Sequence, residues 1–144
     1  MDQRITKSTK AETIKRSWHL IDLKGKTLGR ASTEIALLLM GKNKPYFVRN
    51  LDCGDYVVVI NAEQVKVTGK KELLKKYYNY SGYPGGLRIA NFKEIQTRKP
   101  EYVMEHAVKG MLPQNRLRDR MLQRLKIFVG PEHDYTDKFK GVTV

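Results

Sequence analysis

Hydrophobic and polar positions follow two rhythms along this chain, and each predicts its own kind of element. Trp18-His19-Leu20-Ile21-Asp22 is compact and apolar enough for a strand, with Gly25-Lys26 as the turn behind it. Thr27 is placed to cap a helix from Leu28 through Met40, and Gly41 supplies its stop, so the chain opens with a βα unit. After Asn43-Lys44-Pro45 the pattern turns extended. Tyr56-Val57-Val58-Val59-Ile60 is the continuous β-branched run of a strand buried on both faces, and Val65-Lys66-Val67-Thr68 is a shorter strand that alternates. Asn91 with Glu94 has the form of a capping box, and Pro100 suits the first turn of a helix through His106 and Val108. Gly110 and Pro113 then break the chain, and Ile127-Phe128-Val129 closes it as a strand.

Between that break and the closing strand lies the most informative pattern. Leu117, Met121 and Leu125 recur every four residues, with Arg116, Arg120 and Arg124 recurring beside them. At about 100° per residue the two rows lie side by side on a helix, so that one faces a core while the other rakes a surface. Lys109, Arg118 and Lys126 are close by and only Asp119 opposes them, so the arginine row suits a rigid, phosphate-rich partner.

Composition widens this from one helix to the whole chain. With 28 Lys and Arg against 15 Asp and Glu, the formal net charge is +13 over 144 residues. Such an excess favours polyanions and fast, salt-sensitive association. The charge is also segregated, because Leu51 to Gln64 holds no basic residue but does hold Asp52, Asp55 and Glu63. Apolar runs such as Ile35 to Met40 fall far short of the roughly 20 residues of a spanning helix. Met1 to Lys7 lacks the apolar core of a secretory signal, so no membrane partner and a cytoplasmic location are expected. Length and hydrophobic content suit one α/β domain over residues 17–130, preceded by a basic arm at 1–16 and followed by a tail at 131–144. Arg4, Lys7, Lys10, Lys15 and Arg16 make the arm basic.

Specific chemistry narrows the partner further. Lys70, Lys71, Lys75, Lys76 and Arg88 are interleaved with Tyr77, Tyr78, Tyr80 and Tyr83. Lysine neutralises phosphate while tyrosine stacks on a base or bonds a ribose, although each tyrosine reads equally well as a half-buried strand residue among solvated lysines. In Ser81-Gly82-Tyr83-Pro84-Gly85-Gly86, Pro84 and Gly85 suit the centre of a type II turn, and the glycines let the backbone approach another surface closely. Thr27-Leu28-Gly29-Arg30 can hold an anion at a helix start or serve purely as a cap. Thr68-Gly69-Lys70 resembles the tail of a phosphate loop, but Gln64 and Lys71 stand where that motif needs Gly and Ser or Thr.

Enzymatic readings find less support. Asp52 and Asp55 in a loop, and Glu132-His133-Asp134 near the end, read as exposed charge and not as acid-base pairs. Cys53 stands alone, which permits no internal disulfide and fits a passive small residue; no local signature pairs it with His19, His106 or His133. One Cys and three scattered His lack paired zinc-ligand spacing, so neither metal nor cofactor is expected.

The segment from Ala107 to Leu117, continuing through Met121-Leu122, Leu125-Lys126 and Gly130-Pro131-Glu132-His133, closely resembles the signature of the L-thirteen family of large-subunit ribosomal proteins, in its bacterial or organellar form. The resemblance runs almost end to end. Trp18 to Asp22, Gly25 to Arg30, Gly54-Asp55, Val59 to Glu63, Thr68 to Lys71 and Ser81 to Gly86 stand in the family's order. Departures are local: Leu117-Arg118-Asp119 replaces the usual Leu-Gly-Arg, Glu132-His133-Asp134-Tyr135 replaces Glu-His-Pro-His, and Tyr80 stands where His is common.

The resemblance implies a three-layer α/β/α domain with a small, mainly parallel four-stranded central sheet. It also implies a non-enzymatic constituent of the large ribosomal subunit that binds 23S-type ribosomal RNA, acts early in assembly and abuts neighbouring ribosomal proteins. Taken with the charge pattern, the candidate RNA-binding residues are Arg30, Lys70, Lys71, Lys75, Lys76, Tyr83, Gly85, Gly86, Arg88, Lys109, Arg116, Arg120, Arg124, Lys126 and His133. The same surface would serve a free RNA-binding regulator of translation acting on messenger RNA, which is the alternative function. No small-molecule substrate is expected.

Overall fold

The computed structural model describes residues 8–139. In chain order its main elements are β1 (Trp18–Asp22), α1 (Leu28–Met40), β2 (Tyr56–Ile60), α2 (Lys71–Leu74), β3 (Lys76–Tyr80), β4 (Leu87–Asn91), α3 (Phe92–Arg98), α4 (Pro100–Met111), α5 (Leu117–Gln123) and β5 (Leu125–Ile127). Strands β1, β2 and β5 form a parallel sheet with β2 in the middle, while β3 and β4 form a separate antiparallel hairpin. This is an α/β fold. Arg4 and Lys7 of the expected arm, and residues 140–144 of the expected tail, lie outside the described residues.

The central strand behaves as its composition predicts: Val57, Val58 and Val59 are all fully buried. Ile21, Val57, Val59 and Leu125 join Ile35, Leu39, Val103, Met104 and Val108 in one core, so helices α1 and α4 pack together on that face of the sheet. The opposite face is covered differently. Trp18 stacks on Tyr56 at 4.4 Å and on Tyr135 at 5.3 Å, with Phe139 edge-on to it, so a short 3-10 turn at Thr136–Phe139 takes the place of a helix layer.

The expected fourth strand is reduced to one parallel bridge between Thr27 and Lys66. Leu28 N–H donates to the Lys66 carbonyl and Lys66 N–H to the Lys26 carbonyl, which ties this segment to the start of α1 instead of extending the sheet. The Thr27 side chain makes no capping bond. Asn91 likewise precedes α3 without a side-chain cap, and Phe92 N–H donates instead to the Lys75 carbonyl. Gly41 ends α1 in the left-handed region at φ 74°. The turn at Tyr83 to Gly86 closes through Gly86 N–H to the Tyr83 carbonyl at 2.9 Å, with Gly85 at φ 73°, as a type II turn requires.

One end of the sheet carries a titrating lock. Asn61, the one non-glycine residue at positive φ among those described, donates through Nδ2 to Asp22 Oδ1 at 2.7 Å, and Lys24 N–H adds a second bond at 2.9 Å. These two donations hold the Asp22 carboxyl below its usual 3.8. A lowered folded-state value stabilises the fold above that pH, and the stabilisation is lost as pH falls through the folded-state value. Because Asp22 is exposed, Asp22→Asn should cost only about 0.5 kcal/mol at neutral pH. Urea titrations should show that deficit shrinking as pH falls below 3.8.

Candidate nucleic-acid interface

The cations of this protein fall into two groups according to whether a carboxylate faces them. Arg124 belongs to the internally paired group, which corrects its assignment to an RNA-facing row. Helix α5 stops at Gln123, and Arg124 is buried at 7% exposure. Its two terminal nitrogens donate to the two Asp52 oxygens, Nη2 also reaches the Leu39 carbonyl at 3.3 Å, and Nε reaches the Asp55 carbonyl at 3.3 Å. The guanidinium therefore fills the negative end of α1 with a planar fork that matches a carboxylate. Arg16 joins it, donating to the Gly54 carbonyl at 2.7 Å and lying 3.6 Å from Asp52.

A second paired set lies alongside. Lys44 Nζ donates to Asp55 Oδ1, to the Cys53 carbonyl at 2.9 Å and to the Lys15 carbonyl at 2.7 Å, while His19 Nε2 lies 3.1 Å from Asp55 Oδ2. Asp52 and Asp55 are thus internal anchors, not exposed charge, and Cys53 between them is fully buried. The loop earns its carboxylates structurally: they hold the described part of the N-terminal arm, the end of α1 and the start of β5 in one network.

The unpaired group is distributed over the surface. Arg30, Lys71 and Lys75 line one cleft with Thr27, Gly29, Thr68 and Met111, and Lys66 joins them there. None of these four cations forms an ion pair among the described residues. Lys66 is not among the candidates read from the sequence; in Val65-Lys66-Val67 it holds the outward position of an alternating segment, the signal that places it on this surface. Lys70 and Lys76 are exposed nearby in sequence.

The hairpin resolves the tyrosines one by one. Tyr77 is buried, with Tyr102 at 6.1 Å and His106 at 5.4 Å around its ring and Lys75 Nζ 5.3 Å above it. Burial, with help from Tyr102, pushes its hydroxyl pKa up, so it stays neutral. Tyr78, Tyr80 and Tyr83 are 64%, 62% and 76% exposed. Tyr78 and Tyr80 project from the same face of β3 as Lys76, opposite Ile89 and Leu87 of β4. Gly85 stands in open space at the tip, whereas Gly86 packs against the Ser81 side chain.

Of the remaining candidates, Arg116, Arg120 and Lys109 are exposed, and Arg120 shares a groove with Arg16 and Leu117. Met121 and Leu125 are buried and Leu117 packs against the core, so the apolar row faces inward, with Leu125 contributing from β5. Lys126 is half-buried beside Val58. His133 accepts a bond from Tyr135 N–H through Nδ1 and packs against Phe128 and Phe139, so one of its nitrogens is used within the fold.

A parallel-sheet α/β domain with cations sorted in this way defines a basic α/β protein whose positive charge is divided between internal pairs and an open surface. The chain belongs to the family described as Ribosomal protein L13, whose model matches residues 16–134. Proteins named large ribosomal subunit protein uL13 are similar over nearly the whole length. That of Alcanivorax borkumensis is 53% identical over 131 residues, covering 91% of this chain and 92% of the relative. Those of Symbiobacterium thermophilum and Dehalococcoides mccartyi strain BAV1 are 48% and 50% identical, over 86% and 92% of this chain and 87% and 93% of theirs. No helix among the described residues is long and apolar enough to cross a membrane.

Proposed function

We propose that this chain is a structural constituent of the large ribosomal subunit in the cytoplasm, binding large-subunit ribosomal RNA early in assembly and meeting neighbouring ribosomal proteins there. The observation that carries the RNA contact is the cleft at the start of α1, where Arg30, Lys66, Lys71 and Lys75 converge with no carboxylate paired to them among the described residues. Four cations left unpaired among the described residues are neutralised most favourably by phosphates, with release of the counterions those phosphates had condensed. Lys70, Lys76, Tyr83 and the Gly85-Gly86 turn extend the contact along the hairpin, Arg88 adds a cation on β4, and Arg116, Arg120, Lys109 and Lys126 add phosphate contacts elsewhere. The action is a clamp on converging RNA backbones, without turnover.

Its test is the salt dependence of binding to a large-subunit RNA fragment. Replacing Arg30, Lys66, Lys71 and Lys75 together with Gln should reduce the slope of log affinity against log salt by about 1 per removed contact. The thermal midpoint should hold to within a few degrees, because these side chains make no ion pair among the described residues and only Lys75, 5.3 Å over the Tyr77 ring, lends its charge to the fold. An unchanged slope would sink the clamp. Separately, Arg116→Gln with Arg120→Gln should lower incorporation into subunits in a competition assay while leaving the fold intact. Arg124 is left out of that variant, since its loss would lower stability through the Asp52 pair and not through RNA.

A further inference from the structure

The hairpin and helices α3 and α4 enclose a second cleft of about 560 Å³, separate from the cation cluster at the start of α1. Its aromatic wall is Tyr102, which is 39% exposed and braced by Tyr77 at 6.1 Å and His106 at 5.7 Å. A ring held from two sides yet open to the cleft offers a flat surface at little entropic cost. Around it stand Asn79, Arg88, Arg98 and Lys99, with Glu94 the one carboxylate on the wall. Arg98 is paired only with exposed Glu94 at 3.5 Å, and the side chains of Asn79, Arg88 and Lys99 make no hydrogen bond or ion pair among the described residues.

The combination is chemically selective. An aromatic face stacks on any base, an amide offers both a donor and acceptor to a base edge, and a guanidinium with an ammonium neutralises the attached phosphate. A cleft of this volume lies within the range that encloses one small ligand, and it is concave where a double helix would demand an open surface. We propose that it receives a single unpaired nucleotide of large-subunit ribosomal RNA, its base stacked on Tyr102, its edge bonded by Asn79 and its phosphate held by Arg88 and Lys99. This rests on the reading of the chain as an RNA-binding ribosomal protein and adds a base contact to a surface otherwise built for phosphates.

The experiment uses the full chain, a large-subunit RNA fragment and a salt series. Tyr102→Leu should lower affinity about tenfold, the effect of losing one base stack, without changing the salt slope. Tyr102→Phe should bind as the parent does, and Arg88→Gln should lower the slope by about 1. Ultraviolet crosslinking of the unmodified protein, read by mass spectrometry, should attach one nucleotide at Tyr102 or Tyr77, which keeps the test independent of any variant's folding. Parental affinity in Tyr102→Leu together with crosslinks only outside the cleft would overturn the inference while leaving the clamp standing. Crosslinking of free adenosine or uridine monophosphate at Tyr102 with RNA affinity insensitive to Tyr102→Leu would also overturn it, in favour of a free nucleotide. Failure of the parent protein to bind the RNA at all would overturn the clamp reading as well.

Discussion

Arg124→Gln should destabilise the protein by about 3–5 kcal/mol, the cost of breaking a buried ion pair on one side only. The guanidinium satisfies Asp52, Asp55 O and Leu39 O at once, joining the end of α1, the acidic loop and the residue before β5. Glutamine retains one amide for these acceptors and leaves Asp52 facing Arg16 alone, at 3.6 Å. The loss corresponds to roughly 10–17 °C in thermal midpoint for a domain of this size. Arg124→Lys should rescue little, because a single ammonium cannot reproduce the fork. Pairing Arg124→Met with Asp52→Leu should recover much of the stability, since the uncompensated carboxylate is removed together with its partner. Urea unfolding followed by circular dichroism separates these outcomes; parental stability in Arg124→Gln would mean that the pair contributes nothing.

Gly54→Ala is expected to be as damaging, and for a steric reason. A Cβ at this position would overlap the Leu39 carbonyl and come within 2.9 Å of Arg124 Nη2. Backbone cannot yield as a side-chain end can, so α1 and the acidic loop must separate, at a cost of at least about 3 kcal/mol. Separation also lengthens the Arg124 bond to the Leu39 carbonyl, so Gly54→Ala and Arg124→Gln should be less than additive in a double-mutant cycle. Gly29→Ala is the contrasting control. Nothing lies within 4 Å of a Cβ there, and its position in α1 favours Ala, so stability should hold or rise slightly.

This network also sorts the positive charge by function. Arg16, Lys44 and Arg124 pair with Asp52 and Asp55, while Arg30, Lys66, Lys71, Lys75 and Arg88 form no ion pair among the described residues. The net charge of +13 therefore understates how unevenly the cations are disposed. Substitutions in the first set should move stability, and those in the second should move RNA affinity with its salt dependence.

Much of the fold was legible because it is encoded locally. The β-branched run of Tyr56–Ile60, the apolar spacing of α1 with Gly41 at its end, and Pro100 at the first turn of α4 each express a preference that neighbouring residues enforce. The family resemblance was legible for the same reason, as several short motifs in fixed order.

What sequence spacing could not supply was the direction of side chains whose partners lie far along the chain. Arg124 continues the row of Arg116 and Arg120 only until helix α5 ends one residue before it; it then turns inward to Asp52, a partner 72 positions away. Val65 to Thr68 has a strand's alternation, yet it bonds to the start of α1, so only one bridge forms. Among the tyrosines, composition is identical, and burial of Tyr77 against exposure of Tyr78 follows from which face of the hairpin meets α4. Local propensity, the Gly41 stop of α1 and the charge excess were thus determined by the sequence alone, whereas the Thr27 and Asn91 caps it offered are not made. The separation of structural from available cations was decided only by tertiary packing, because a buried charge must find its countercharge wherever the fold brings one.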